Sequence, residues 1–173
     1  HQEARRQRQM CIRDSFDIKR TTDDTYLRRY RFGDEDTLTS RVFVEGVEGR
    51  NYAALEGLAF QGLQLRDDPD RSPLIMPMGQ LHYESAPLWM GSRALLDSNV
   101  MVLGRKLGPD SRRLSTTGPW RLPSVTAPGQ VIEMTASLRG DVYSVNDVTR
   151  TDGTAFEGTV GRVIPQLELL WRY

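Results

Sequence analysis

The chain has 173 residues, 38% of them hydrophobic and 27% charged, which is typical of one folded domain with its own core and excludes a disordered chain. Its 23 basic and 23 acidic side chains cancel, so no global field favours nucleic acid, and we expect no nucleic-acid partner. No apolar run approaches the ~20 residues of a membrane-spanning helix, so we expect a soluble chain without a membrane span.

Residues 1–15 are polar and basic, and we expect them to be a disordered or non-native N-terminal tail. Within this tail, residues 10–15 (MCIRDS) resemble translated sequencing-adapter sequence, which implies that the native chain begins near Phe16. No apolar stretch typical of a signal peptide follows the first nine residues, and the cellular location stays open. The single cysteine, Cys11, excludes an intrachain disulfide and a cysteine-based zinc site.

From residue 26 onward the dominant hydrophobic period is two, which indicates β-strands. In this part of the chain the pattern predicts strands over 26–32, 37–44, 79–85 and 100–103. The stretch 51–65 fits a helical turn followed by a strand, and 67–70 predicts a loop. Glycines and prolines punctuate residues 104–130, which we expect to be the longest irregular region.

The last third of the chain has the clearest pattern. Apolar and polar residues alternate over 131–138, residues 139–141 predict a turn, and 142–148 predict the returning strand. Asp152 and Gly153 form a hairpin-turn sequence that leads into a strand over 154–164, and Pro165 precedes a final strand. The expected fold of residues 16–173 is therefore one all-β domain, a single antiparallel β-barrel or β-sandwich of about eight to ten short strands with at most one short helix.

The candidate catalytic residues are His82 and Glu84. Apart from His1, His82 is the only histidine, so a His-rich metal site is excluded, and we expect neither a metal nor a cofactor. On a strand, His82 and Glu84 point to the same face, because side chains repeat every two residues. A histidine beside a carboxylate can act as an acid–base pair. The alternative is an ordinary sheet histidine that its neighbour satisfies.

The candidate ligand-binding residues are Trp120, Tyr83, Arg105 and Arg112. Tryptophan in an irregular region often lines a small-molecule pocket, which favours Trp120, whereas Trp89 and Trp171 lie in apolar stretches and are expected in the core. Arg105 and Arg112 belong to a basic stretch that suits a phosphate or a carboxylate, with a solvated loop as the alternative.

The basic residues are unusual in kind, because the chain has two lysines, Lys19 and Lys106, against twenty-one arginines. Arginine favours contacts with carboxylate or phosphate through two parallel hydrogen bonds. A biased genome composition explains the same excess.

The stretch 96–114, with Gly104, Arg105 and Lys106 at its centre, resembles the central motif of acetoacetate decarboxylase-like β-proteins, and Glu84 matches that family's glutamate strand. The resemblance implies that Glu84, Arg105 and Arg112 line a pocket. That family forms a Schiff base through a lysine, and Arg112 stands at the matching place in this chain. Because arginine stays protonated, it is not that nucleophile, and the resemblance implies a pocket without decarboxylase activity.

Three functions follow from these patterns. The first is a non-catalytic all-β binding or interaction module for a small apolar or anionic ligand, and it rests on the lack of a metal pattern and of a nucleotide loop. The second is a small β-barrel enzyme of lyase or hydrolase type that uses His82 and Glu84. The third is a structural component of a larger assembly. A small molecule or another protein is the expected partner, and the sequence leaves a homo-oligomer open.

Overall fold

Eight β-strands account for most of the structure, a computed structural model that describes residues 10–23, 29–30, 35–64, 67–149 and 153–173. The strands are β1 (Met10–Asp17), β2 (Thr37–Glu48), β3 (Asn51–Gly62), β4 (Leu74–Glu84), β5 (Arg93–Gly104), β6 (Asp110–Val125), β7 (Val131–Thr149) and β8 (Ala155–Arg172). Two single 3-10 turns, Pro69–Arg71 and Trp89–Gly91, stand beside them. The strand predicted over 26–32, apart from residues 29 and 30, and Asp152 of the predicted hairpin turn lie outside the described residues.

The strands form one antiparallel sheet in which each strand pairs with its neighbours in the chain, in the order β1 to β8. The prediction of an all-β, antiparallel fold is therefore confirmed. The sheet is open, and β1 and β8 are its two edges. Within the described ranges, no helix is long and apolar enough to cross a membrane.

Three strands are longer than the sequence patterns predict, because glycine and proline do not interrupt them. The region expected to be irregular contains β6, which keeps its pairing with β7 through Pro119 and Pro123 while its ladder with β5 skips 118–119. The turn predicted at 139–141 is wrong, since β7 runs through it with partners on both sides. Pro165 lies within β8, and an edge strand tolerates the missing N–H of proline.

The first described residues belong to the sheet. Residues 10–17 form β1 and pair with β2 from the Met10–Glu48 pair to the Asp17–Arg41 pair. The tail boundary predicted after residue 15 falls inside this strand. Residues 1–9 lie outside the described residues, and a non-native origin of the segment stays a prediction.

The register gives the sheet two different faces, because directly paired residues lie on one side and successive residues on opposite sides. One row across all eight strands is mostly polar: Arg13, Glu45, Ala54, Gln80, Asn99, Ser115, Asp141 and Arg162. The next row is mostly apolar: Asp14, Val44, Leu55, Gly79, Val100, Leu114, Val142 and Gly161. We call the side with the first row the polar face and the side with the second row the apolar face.

The described residues contain almost no hydrophobic core. Leu38 and Leu63 are the only hydrophobic side chains among them that are buried, at 5% and 3% exposure. The expectation that Trp89 and Trp171 lie in the core is wrong, since they are 72% and 61% exposed. A single sheet has no second layer to cover either face, and a stable domain normally needs one.

Candidate functional site

The apolar face exposes many large hydrophobic side chains to solvent. Its exposed hydrophobic side chains extend over the sheet from the first strand to the last: Ile12, Phe16, Val42, Val44, Leu55, Leu81, Tyr83, Leu96, Leu114, Leu138, Val142, Val163, Leu167, Leu169 and Trp171. Proteins that are surrounded by water rarely expose a contiguous apolar patch of more than a few hundred Å², and larger patches mark interaction surfaces for proteins or membranes.

The polar face carries an ionic network centred on Asp141 of β7. Asp141 is 9% exposed, and its carboxylate accepts hydrogen bonds from Ser115 Oγ, from Arg139 Nε at 3.1 Å and from Arg162 Nε at 2.7 Å. These donors come from β6, β7 and β8, so the network ties three neighbouring strands together. The hydrogen bonds from Ser115 and the two arginines hold the pKa of Asp141 well below its ordinary value.

Further pairs extend the charged layer toward β1. Arg13 Nε lies 2.8 Å from Glu45 Oε1, and Arg41 pairs with Glu56. The guanidinium groups of Arg13 and Arg41 also lie over the ring of Phe43, at 5.2 and 4.5 Å from its centre. The charges of these four side chains are thus paired across neighbouring strands of the polar face.

The two predicted catalytic residues both lie on the polar face, two residues apart on β4, but they have different partners. His82 Nδ1 lies 2.5 Å from Asp97 Oδ1 of β5, and both line a cleft of about 340 Å³. Glu84 accepts hydrogen bonds from Arg50 and, at 2.6 Å, from Arg93 Nη1. The hydrogen bond from Arg50, helped by Arg93, lowers the pKa of Glu84 and favours its charged form. A catalytic role for this pair stays a prediction.

The four predicted ligand-binding residues lie in two parts of the sheet, Tyr83 and Trp120 near the start of β5 and Arg105 and Arg112 near its end. Tyr83 and Trp120 lie on the apolar face, paired to Leu96 and Ala94 of the strand between them. Arg112 is eight residues from Trp120 along β6, roughly 26 Å at ~3.3 Å per residue.

Arg105 lies in the connection after β5, where its backbone N–H donates to Asp110 Oδ1 at 2.7 Å. Its Nε is buried and has no hydrogen-bond partner within the described part of the chain. Glu84 and Arg112 lie on opposite faces, so these three residues do not share a pocket.

Sequence patterns missed the Asp141 network and a basic cleft at one end of the sheet. The sequence pattern predicts a turn at Asp141, although the alternation of apolar residues before and after it fits one long strand. The cleft has a volume of about 670 Å³ and is lined by both lysines, Lys19 and Lys106, which are far apart in the chain. The rarity of lysine in this chain is the one feature of the sequence that points to Lys19 and Lys106. No three His, Cys, Asp or Glu residues in the described ranges are placed to hold a metal ion.

Comparison with known proteins gives one family. The family model described as LptD, LPS transport system D, matches residues 12–173, which is most of the chain and includes all eight strands in whole or in part. This match also spans the residues that resemble acetoacetate decarboxylase-like proteins and assigns them to a different family. No curated protein matches the chain.

Proposed function

We infer the function from one premise: this chain belongs to the LptD family, which is described as LPS transport system D. It is an all-β component related to LPS transport, and we propose that it acts as a non-catalytic interaction module within a larger assembly. In this role the apolar face lies against the acyl chains of lipid, and the polar face lies on the side away from them.

The observation that carries this proposal is the exposure of the apolar face. Moving one Leu, Val or Phe side chain out of water contributes roughly 1.5–3 kcal/mol. The free energy gained by removing fifteen large hydrophobic side chains from water therefore strongly favours contact of this face with another apolar surface, and the described residues provide no such surface.

The dimensions of the face support lipid as the covering. On β8 the side chains of Val163, Leu167, Leu169 and Trp171 are 61–74% exposed, and Pro165 lies among them on the same face. From Val163 to Trp171 the strand spans roughly 26 Å at ~3.3 Å per residue, close to the ~30 Å thickness of bilayer hydrocarbon. Trp171 and Tyr173 end this stretch, and aromatic residues are enriched where hydrocarbon meets the headgroups.

Quenching of tryptophan fluorescence by brominated lipids tests the proposal. In the double variant W89F/W120F, Trp171 is the only tryptophan left, and it lies on the apolar face. After reconstitution into phosphatidylcholine vesicles with brominated acyl chains, we expect strong quenching of Trp171, because bromine quenches only on contact.

The matched control places the single tryptophan on the polar face by the substitution Tyr143→Trp, with all three native tryptophans replaced by Phe. Tyr143 is 45% exposed, so the new ring is accessible to solvent but not to acyl chains. We expect weak quenching by brominated lipid and strong quenching by aqueous iodide. Equal quenching of the two variants by brominated lipid would contradict the proposal.

A further inference from the structure

A cleft of about 670 Å³ lies at the end of the sheet where β2 begins and β3 ends. The segment that follows β1 forms one wall and is fastened to both strands. Lys19 N–H donates to Ser40 Oγ at 3.1 Å, Ser40 Oγ donates to Lys19 O at 3.0 Å, and Gln61 Nε2 donates to Thr21 O at 2.7 Å. This wall is therefore held in place by hydrogen bonds from neighbouring strands.

The cleft is positively charged in a chain whose formal net charge is zero. Three cationic side chains, Lys19, Arg20 and Lys106, and one carboxylate, Asp67, line it. Lys106 Nζ lies 2.8 Å from Asp70 Oδ1, whereas the side chains of Lys19 and Arg20 have no ion-pair partner within the described ranges. Asp67 Oδ2 accepts the backbone N–H of Gln64 at 3.0 Å, so this carboxylate is engaged in its own loop.

The cleft lies where the apolar face ends. Ser40 and Gln61 line it, and both belong to the apolar face, since Ser40 lies two residues from Val42 and Gln61 pairs with Leu38. Phe60 and Ile18 add apolar surface to the lining. An apolar surface that ends in a cationic cleft is complementary to a molecule with acyl chains at one end and an anion at the other.

We propose that this cleft binds the phosphate group of an anionic amphiphile whose acyl chains lie on the apolar face. Lysine binds phosphate as a compact point charge, and arginine adds paired N–H donors. The phosphate site follows from the cleft alone, and the placement of the acyl chains rests on the proposed function.

Because Lys19 and Lys106 are the only lysines, both can be observed directly. Reductive methylation with ¹³C-formaldehyde labels each lysine as a dimethylamine that keeps its positive charge, and the variant Lys106→Gln assigns the two NMR signals. The full chain is kept in dodecyl maltoside micelles, and the probes are dodecyl phosphate and inorganic phosphate. We expect dodecyl phosphate to shift both lysine signals at a concentration roughly tenfold below that of inorganic phosphate, because its chain is also buried.

The variant Arg20→Gln removes one cation from the cleft and leaves both labelled lysines, so we expect it to weaken dodecyl phosphate binding several-fold. The control Arg172→Gln removes the same charge at the opposite end of the sheet and should leave the binding unchanged. Equal effects of the two variants, or lysine signals that do not move, would overturn the site. If dodecyl phosphate and inorganic phosphate shifted the lysine signals at the same concentration, this result would contradict the proposal that the ligand is an amphiphile. The proposed function is tested separately, and its failure would be seen as a lack of Trp171 quenching by brominated lipid.

Discussion

At the scale of single residues, the network of charged hydrogen bonds around Asp141 lies on the polar face. Asp141 receives hydrogen bonds from a serine on one neighbouring strand and from an arginine on the other, and it also binds Arg139 on its own strand. A carboxylate held in this way is stabilised in its charged form, and removing the charge leaves two arginines without their acceptor. The ionisation of Asp141 therefore connects the stability of the sheet to pH.

We expect Asp141→Asn to lower the thermal unfolding midpoint at neutral pH. The folded state lowers the pKa of Asp141 below its ordinary value of 3.8, so its stabilising contribution is present above that pH. This contribution is lost as the pH falls from about 4 through the lower pKa of the folded state. The measurement is the unfolding midpoint between pH 7 and pH 2, where the difference between wild type and variant should shrink below pH 4.

The control for this experiment is Glu168→Gln, an exposed carboxylate on β8. It removes the same charge outside the network, and we expect little change of the midpoint at any pH. A difference between wild type and Asp141→Asn that is constant from pH 7 to pH 2 would contradict the role assigned to the ionised carboxylate.

At the scale of the strand, β7 shows why glycine is an ambiguous signal in sequence. Gly140 has partners on both sides, Thr116 on β6 and Val163 on β8. Apart from its own atoms and those of its two chain neighbours, no heavy atom of the described residues lies within 4 Å of the position that a Cβ would take. Gly153, after β7, has a φ of +81°, which side chains other than glycine's rarely adopt. The first glycine is thus replaceable and the second is required by the backbone.

We expect Gly140→Ala to raise the free energy of unfolding by about 0.5–1 kcal/mol, because alanine loses less conformational freedom in a strand than glycine. The matched variant Gly153→Ala should lower it, because alanine is strained at positive φ. Denaturant unfolding in detergent measures both. Loss of stability in Gly140→Ala would mean that this position is a turn, as the sequence pattern alone predicts.

The fold class follows from the sequence because period-two alternation identifies strands wherever turns are marked. Strand lengths did not follow, since Pro119, Gly140 and Pro165 mark turns in most contexts but here lie within paired strands. The use of the two faces also could not be predicted. An alternating strand such as 131–138 has the same pattern whether its apolar side meets a core or a lipid. The register across eight strands shows which side chains share this face, and their exposure shows that the described residues do not cover it.

At the scale of the whole molecule, the two faces need different surroundings. On the polar face, Asp141, Glu45 and Glu56 are paired with arginines of the same sheet, whereas no described residue covers the hydrophobic side chains of the apolar face. The introduction of the same charged side chain should therefore have different consequences on the two faces.

Leu167 and Val160 provide the test, since both lie on β8 with exposures of 74% and 65% but on opposite faces. We expect Leu167→Lys to weaken association with phosphatidylcholine vesicles, because a charged side chain costs about 2–4 kcal/mol at the middle of a bilayer. Val160→Lys on the polar face should leave the association unchanged. Co-flotation of the chain with vesicles measures both, and equal losses would exclude a lipid-facing role for the apolar face.

The strand order has a consequence for how the sheet is made. Since every described strand pairs only with its neighbours in the chain, each new hairpin requires the closure of a single connection, of 19 residues between β1 and β2 and shorter elsewhere, and the entropic cost of closure grows only slowly with length. The sheet can therefore grow one hairpin at a time, and each arriving strand adds at an edge and never has to insert between two strands already joined. A chain whose synthesis pauses partway could therefore form a narrower sheet with the same register, and the next strand would pair with its free edge.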